Sequence, residues 1–159
     1  MTKQDAITIT GVSTIGEKKL VGFRVLASNI EEFQQDIPKA SLELIRRKNE
    51  IHNLVEPVKL IGAFKAGETS EEDDGYWSCL EVTDFEQIPE GMVTLTVPEQ
   101  QYAVLQFKGH ASEIYGTYTH LHQWIQENGY TRTPSNWTLE IYSKWSADED
   151  SVELCDPIA

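Results

Sequence analysis

The residue in this sequence best placed to do chemistry is Glu140, a lone carboxylate inside the run Trp137-Thr138-Leu139-Glu140-Ile141-Tyr142. Its neighbours are types that favour a buried strand, and the strand period of two sorts their side chains. Leu139 and Ile141 share one face, which the pattern assigns to a covering helix. Thr138, Glu140 and Tyr142 share the other, read as the face away from the helix. An unmatched carboxylate is costly to bury, so Glu140 should be neutralised by a raised pKa, hydrogen-bonded, or paired with a cation. Two readings follow: a counter-ion in a dry site, or a solvated residue on a wet sheet face. Tyr76, Trp77, Phe107, Tyr118, Trp137 and Tyr142 supply aromatic rings on the same set of elements. Ring faces around a carboxylate would suit a lipophilic cation, through ion pairing and cation-π attraction, and would suit phosphate poorly. Alternation along 76–83 sets Tyr76 and Trp77 on opposite faces, so only one of them can enter a given cleft, and the pattern leaves open which.

Other chemistry is less well supplied. His120 and His122 lie two apart on a predicted helix and diverge, whereas a ligand pair on a helix needs a spacing of three or four, so no metal site is expected. The acidic run Glu71-Glu72-Asp73-Asp74 lacks the ligand order of a calcium loop and reads as a solvated turn, as does Asp148-Glu149-Asp150. No Gly-rich phosphate loop, G-x-S-x-G elbow or H-E-x-x-H motif is present, and no cofactor is called for. Cys79 and Cys155 are far apart in sequence and are expected to be reduced thiols.

Charge narrows the partners. The chain carries 26 acidic and 13 basic residues over 159 positions, a formal charge of -13. That sign opposes nucleic acid, whose binding depends on clustered Lys and Arg. The densest basic run, Arg46-Arg47-Lys48, falls at the end of a predicted helix, where cations are favoured in any case. The opening Met-Thr-Lys-Gln-Asp lacks the features of a signal peptide and no apolar stretch could span a bilayer, so a cytoplasmic protein with no membrane contact is expected.

The elements that must position these residues are legible as patterns. Strands are predicted at 7–13 and 20–27, forming an opening hairpin about Gly16-Glu17. A helix follows at 30–48, with Ile30, Phe33, Ile37, Leu44 and Ile45 as its apolar stripe and Pro38 in a first turn after Asp36. Strands at 58–66 and 76–85 form a second hairpin. The order then recurs: strands at 92–97 and 102–108 about a tight turn, a helix at 112–127 stopped by Asn128-Gly129, and strands at 138–145 and 151–157. The fold class is therefore α+β: one domain over 1–159, duplicated as β-β-α-β-β halves at about 1–88 and 89–159. Its antiparallel sheets carry helices on one side and leave a central pocket or seam. Laying I-G-A-F (61–64) on L-E-I-Y (139–142) places Gly62 opposite Glu140.

The stretch from Tyr102, Y-A-V-L-Q-F-K-G-H-A-S, then Y-G-T-Y-T-H-L-H-Q-W-I-Q-E-N-G-Y to Tyr130, then L-E-I-Y, resembles the GyrI-like small-molecule-binding domains. V-G-F-R-V, I-G-A-F and Y-W-S-C-L-E-V fall in compatible places in the first half. These domains include the effector-binding domains of AraC-type and MerR-type multidrug regulators and stand-alone relatives of the gyrase inhibitory protein. The resemblance implies a duplicated fold whose central pocket receives lipophilic cations. An acidic residue on the L-E-I-Y strand, here Glu140, faces aromatic walls, for which Trp77, Tyr76, Phe107, Trp137 and Tyr142 are the candidates, with Tyr118 nearby. No helix-turn-helix flanks the domain, so any role in transcription is expected to be indirect. Some members look like hydrolases of reactive electrophiles, which would recruit Glu140 with Tyr142 or Tyr118 for acid-base work. An acidic inhibitor of gyrase or another DNA-binding protein is the remaining alternative. A monomer is expected.

Overall fold

Alternating apolar and polar residues resolve into eight strands and two helices in the computed structural model, which describes residues 7–67, 69–146 and 149–159. The N-terminal Met-Thr-Lys-Gln-Asp, Glu68 and Asp148 lie outside the described residues. The order is β1 (Ile7–Ile15), β2 (Lys18–Val25), α1 (Ile30–Arg46), β3 (Leu60–Lys65), β4 (Tyr76–Val82), β5 (Val93–Val97), β6 (Gln100–Gly109), α2 (Ile114–Glu127), β7 (Trp137–Lys144) and β8 (Asp150–Pro157). Asn29 starts α1 by accepting from the Glu32 amide at 2.9 Å, while the Glu32 carboxylate accepts from the Ser28 amide at 2.7 Å. This reciprocal cap starts the helix well upstream of Pro38, which therefore lies inside α1 and not in its first turn. Pro38 and Gln34 are on the exposed side, so the carbonyl that loses its donor is within reach of water. The second helix ends as expected, with Gly129 in the left-handed conformation at φ 80°.

All strands belong to one sheet, in the order β1-β6-β8-β7-β3-β4-β2-β5, with every neighbouring pair antiparallel. The expected opening hairpin is absent. β1 pairs with β6 and β5 pairs with β2, so each half lends its first strand to the other half. Gly16-Glu17 and Pro98-Glu99 look like hairpin turns because they are short, yet each joins strands six places apart in the sheet. In a flat sheet with a strand spacing near 4.8 Å that separation would be about 29 Å. Three Cα steps span at most about 11 Å, so the sheet must curl until its margins meet.

The curl creates two kinds of core. Its interior holds Leu20, Ile61, Trp77, Cys79, Leu95, Tyr102, Trp137, Leu139 and Cys155, drawn from both margins and the centre of the sheet and from no helix. The outer face carries the helices. Leu44 of α1 packs with Val21, Leu60, Leu80 and Val82, and Ile114, Leu121 and Ile125 of α2 pack with Ala103, Leu105, Phe107, Val152 and Leu154. Only Ser41 and Leu44 of α1 are buried, and Ile30 of the predicted stripe is 50% exposed, so the first turns of α1 overhang the sheet.

Exchanging β1 with β5, β2 with β6, β3 with β7 and β4 with β8 reproduces the sheet order read backwards. The pseudo-two-fold axis thus passes between β3 and β7. Buried Cys79 and Cys155 follow this symmetry, pairing with Ile61 and Leu139 respectively.

Candidate functional site

β3 and β7 are the two central strands, and their register places Gly62 directly across from Glu140, on the pseudo-two-fold axis. The period of two holds along β7, but its faces are the reverse of those the sequence pattern predicts. Leu139 lies in the interior core with Ile141 packed against it, while Glu140 points outward, onto the helix-bearing face. The cause is the curl, which gives this sheet an apolar core on both sides, so an apolar row does not by itself identify the helix side. Glu140 is also not solvated, being 6% exposed.

Two phenols hold its carboxylate. Tyr76 of β4 donates to Oε1 at 2.6 Å, and Tyr118 of α2 donates to Oε2 at 2.7 Å. Tyr76 must cross β3 to make this bond, and it crosses over Gly62. A Cβ at that position would collide with the Tyr76 hydroxyl and ring carbons. The missing side chain on one strand is thus the condition for the hydrogen bond to the carboxylate on the next. Phe64, two residues along β3, stacks on Tyr76 at 5.8 Å and presents an edge contact to Tyr118 at 6.3 Å. Tyr142 packs against both helix-side cores, the one under α1 and the one under α2.

No cation accompanies the carboxylate among the described residues, since its polar partners are the two phenols. Burial pushes the Glu140 carboxyl above its ordinary value, and the Tyr76 and Tyr118 hydrogen bonds pull it back part of the way. Burial first, and then the adjacent carboxylate, pushes both phenols well above theirs, so they remain neutral donors. Tyr142 is raised for the same two reasons. The result is a buried acid whose charge is stabilised only by dipoles, in a site walled by aromatic rings.

The structure thus brings together Glu140, Tyr76, Tyr118 and Tyr142 from the residues singled out in the sequence. It leaves three elsewhere. Trp77 and Trp137 pack edge to face at 6.2 Å on the interior side, beneath Arg24 and Lys65 respectively, so their cation-π partners are already within the chain. Phe107 belongs to the core under α2. Of the adjacent pair Tyr76 and Trp77, Tyr76 shares the Glu140 side of the sheet and Trp77 lies in the interior core. Phe64 was missed, although it occupies the place in I-G-A-F that Tyr142 holds in L-E-I-Y. The ring of His122 lies 5.9 Å from Tyr118, and its Nε2 is 3.5 Å from Asp156, which also accepts from Arg132 Nε at 2.8 Å.

The remaining charged features are tied into the fold. Asp73 pairs with Lys65 at 2.8 Å, and the Asp74 carbonyl accepts from Arg24. Asp150, read as part of a solvated acidic turn, is 1% exposed and accepts from the Ser146 amide. Arg46 and Arg47 of the basic run are held by Glu43 and Glu50. A hollow of about 280 Å3 lies on the far face against Ile61 and Ile141, and one of about 310 Å3 lies beside Phe107 and α2. Neither is lined by Glu140. No described helix is long and apolar enough to cross a membrane.

The family model for Cass2, described as integron-associated effector binding protein, matches residues 2–158. Among solved structures, the EcmrR C-terminal domain is similar with a TM-score of 0.69 at 21% identity, covering 93% of this chain and 95% of that one. SAV2435 bound to tetraphenylphosphonium is similar with a TM-score of 0.67 at 14% identity, covering 93% and 92%. The integron cassette protein VCH_CASS2 of Vibrio cholerae is similar with a TM-score of 0.60 at 17% identity, covering 96% and 99%. The chain spans 57% of the EcmrR chain in its cryo-EM complex with DNA. At these identities the likenesses establish the GyrI-like effector-binding fold. No curated protein matches the chain.

Proposed function

Because the chain belongs to the integron-associated effector-binding protein family, we propose that its small-molecule effector is a lipophilic cation, taken into the seam between α1 and α2 with Glu140 as counter-ion. The observation that carries this reading is a buried carboxylate whose only polar partners among the described residues are neutral phenols. Such a group lacks half of an ion pair, and an incoming cation supplies it without a new protein side chain. The half-buried rings of Phe64, Tyr76, Tyr118 and Tyr142 give the surroundings that a desolvated organic cation needs. The tetraphenylphosphonium carried by SAV2435, a structural relative, is a compound of this class and a suitable probe.

Titration calorimetry with tetraphenylphosphonium tests the counter-ion role. Glu140→Gln should weaken binding by about 10- to 100-fold, the worth of one interaction with a charged group in a partly dry site. In the wild type, affinity should rise with pH as the raised Glu140 carboxyl ionises, and level off once it is fully charged. The variant should show no such rise. Equal affinity of the two proteins across that range would overturn the assignment.

A further inference from the structure

Thr138 precedes Glu140 by two residues on β7 and therefore faces the same side of the sheet, with about 7 Å of strand between them. It is 1% exposed, and its hydroxyl makes no hydrogen bond among the described residues. Buried polar groups are almost always paired, so a hidden orphan hydroxyl requires a reason. Two residues flank it in register. Across β3 it faces Phe64, an aromatic ring. On the other side, Leu139 pairs with Cys155, which puts Asp156 beside Thr138. The Asp156 carboxylate is engaged by Arg132 at 2.8 Å and His122 at 3.5 Å. On α2, Tyr118 donates to Glu140 and its ring lies 5.9 Å from that of His122, which faces Asp156.

Valine would have the same shape and strand preference as threonine without the unpaired hydroxyl, so neither packing nor propensity accounts for the residue. The orphan lies in the floor of the proposed groove, one strand repeat from its anionic centre. Resting on the cation reading above, we infer that Thr138 is a second polar contact for the effector. The molecule it fits is a lipophilic cation carrying a hydrogen-bonding oxygen about one ring's breadth from its charge. Glu140 would then fix the cationic centre and Thr138 the orientation of the apolar body. Phe64, which faces Thr138 in register and leans on both phenols, is the ring such a ligand must move to reach the hydroxyl.

The test uses a pair of probes of equal size, (4-methoxyphenyl)triphenylphosphonium and (4-ethylphenyl)triphenylphosphonium, which differ by an ether oxygen in place of a methylene. Wild type should prefer the methoxy compound by about five-fold, the worth of one neutral hydrogen bond. Thr138→Val should bring that ratio to near one while leaving affinity for the ethyl compound unchanged, and Thr138→Ser should keep the preference. The free Thr138→Val protein should also melt higher, because the unpaired hydroxyl is gone. Binding of both compounds without preference, or a preference that survives in Thr138→Val, would overturn the inference while the cation reading stood. A lower melting temperature in Thr138→Val would also overturn it, by showing that the hydroxyl is already satisfied. Failure of both compounds to bind wild type would remove the cation reading, and this inference with it.

Discussion

A carboxylate held only by phenols is stable enough to persist but not at ease, and that tension has a measurable sign. The folded-state pKa of Glu140 lies above its unfolded value, because burial outweighs the two hydrogen bonds that oppose it. The folded chain therefore holds this proton to higher pH than the unfolded chain does. Its contribution to stability is fully present below the unfolded carboxyl value, near 4.3, and is lost as pH rises through the raised folded value. Glu140→Gln removes the titration while keeping a group of the same shape beside Tyr76 and Tyr118. The variant should accordingly melt higher than wild type at pH 8, with the difference closing as the medium is acidified to about pH 4. For a chain of this size about 1 kcal/mol corresponds to roughly 3 °C. Melting curves that stay parallel from pH 4 to pH 8 would show that the carboxyl is not perturbed. The same substitution is expected to weaken cation binding, so stability and affinity should move in opposite directions at one residue.

At the scale of elements, the central strand pair depends on an absence. Gly62 leaves the space through which Tyr76 reaches across β3, and a methyl group there would have to displace the ring. Gly62→Ala should therefore lose the Tyr76 hydrogen bond and cost about 1–3 kcal/mol by overpacking. Gly116, in the first turn of α2 with open space where a Cβ would stand, is the control. Gly116→Ala should stabilise by about 0.5–1 kcal/mol, because alanine is the better helix former. Chemical denaturation of the two variants distinguishes them, and a neutral Gly62→Ala would mean that Tyr76 need not lie over Gly62. This is also the scale at which the sequence was most and least informative. Strand and helix positions follow from local periodicity, and the weak overlay of I-G-A-F on L-E-I-Y located the axis pair Gly62 and Glu140. Pairing partners are not local. Gly16-Glu17 has the length of a hairpin turn, and only the whole sheet order reveals that it joins strands six places apart. The inverted faces of β7 have the same origin, since Leu139 is as apolar toward the interior of the curl as it would be beneath a helix.

For the whole molecule, the exchange of first strands makes each half incomplete without the other. β1 has a single sheet neighbour, β6, and β5 has a single sheet neighbour, β2, so both crossing pairs must form before either margin is covered. The axis pair β3 and β7 adds a third connection between the halves, and the interior core draws Leu20 and Trp77 from one half and Tyr102 and Trp137 from the other. A segment covering 1–90 would keep β2, β4 and β3 in contact but expose the apolar inner side of those strands and leave β1 without a partner. The complementary segment 91–159 would suffer the same in mirror order. Neither contains a closed core, so each should be largely unfolded when produced alone, with collapsed amide dispersion in its NMR spectrum. Mixed at equal concentration they should recover the spectrum of the intact chain and its affinity for tetraphenylphosphonium. The Glu140 carboxylate comes from one segment with Tyr118, whereas Tyr76, Phe64 and Gly62 come from the other. Recovery of binding only on mixing would therefore report the groove itself, and native-like dispersion from either segment alone would show that the exchanged strands are dispensable to the fold.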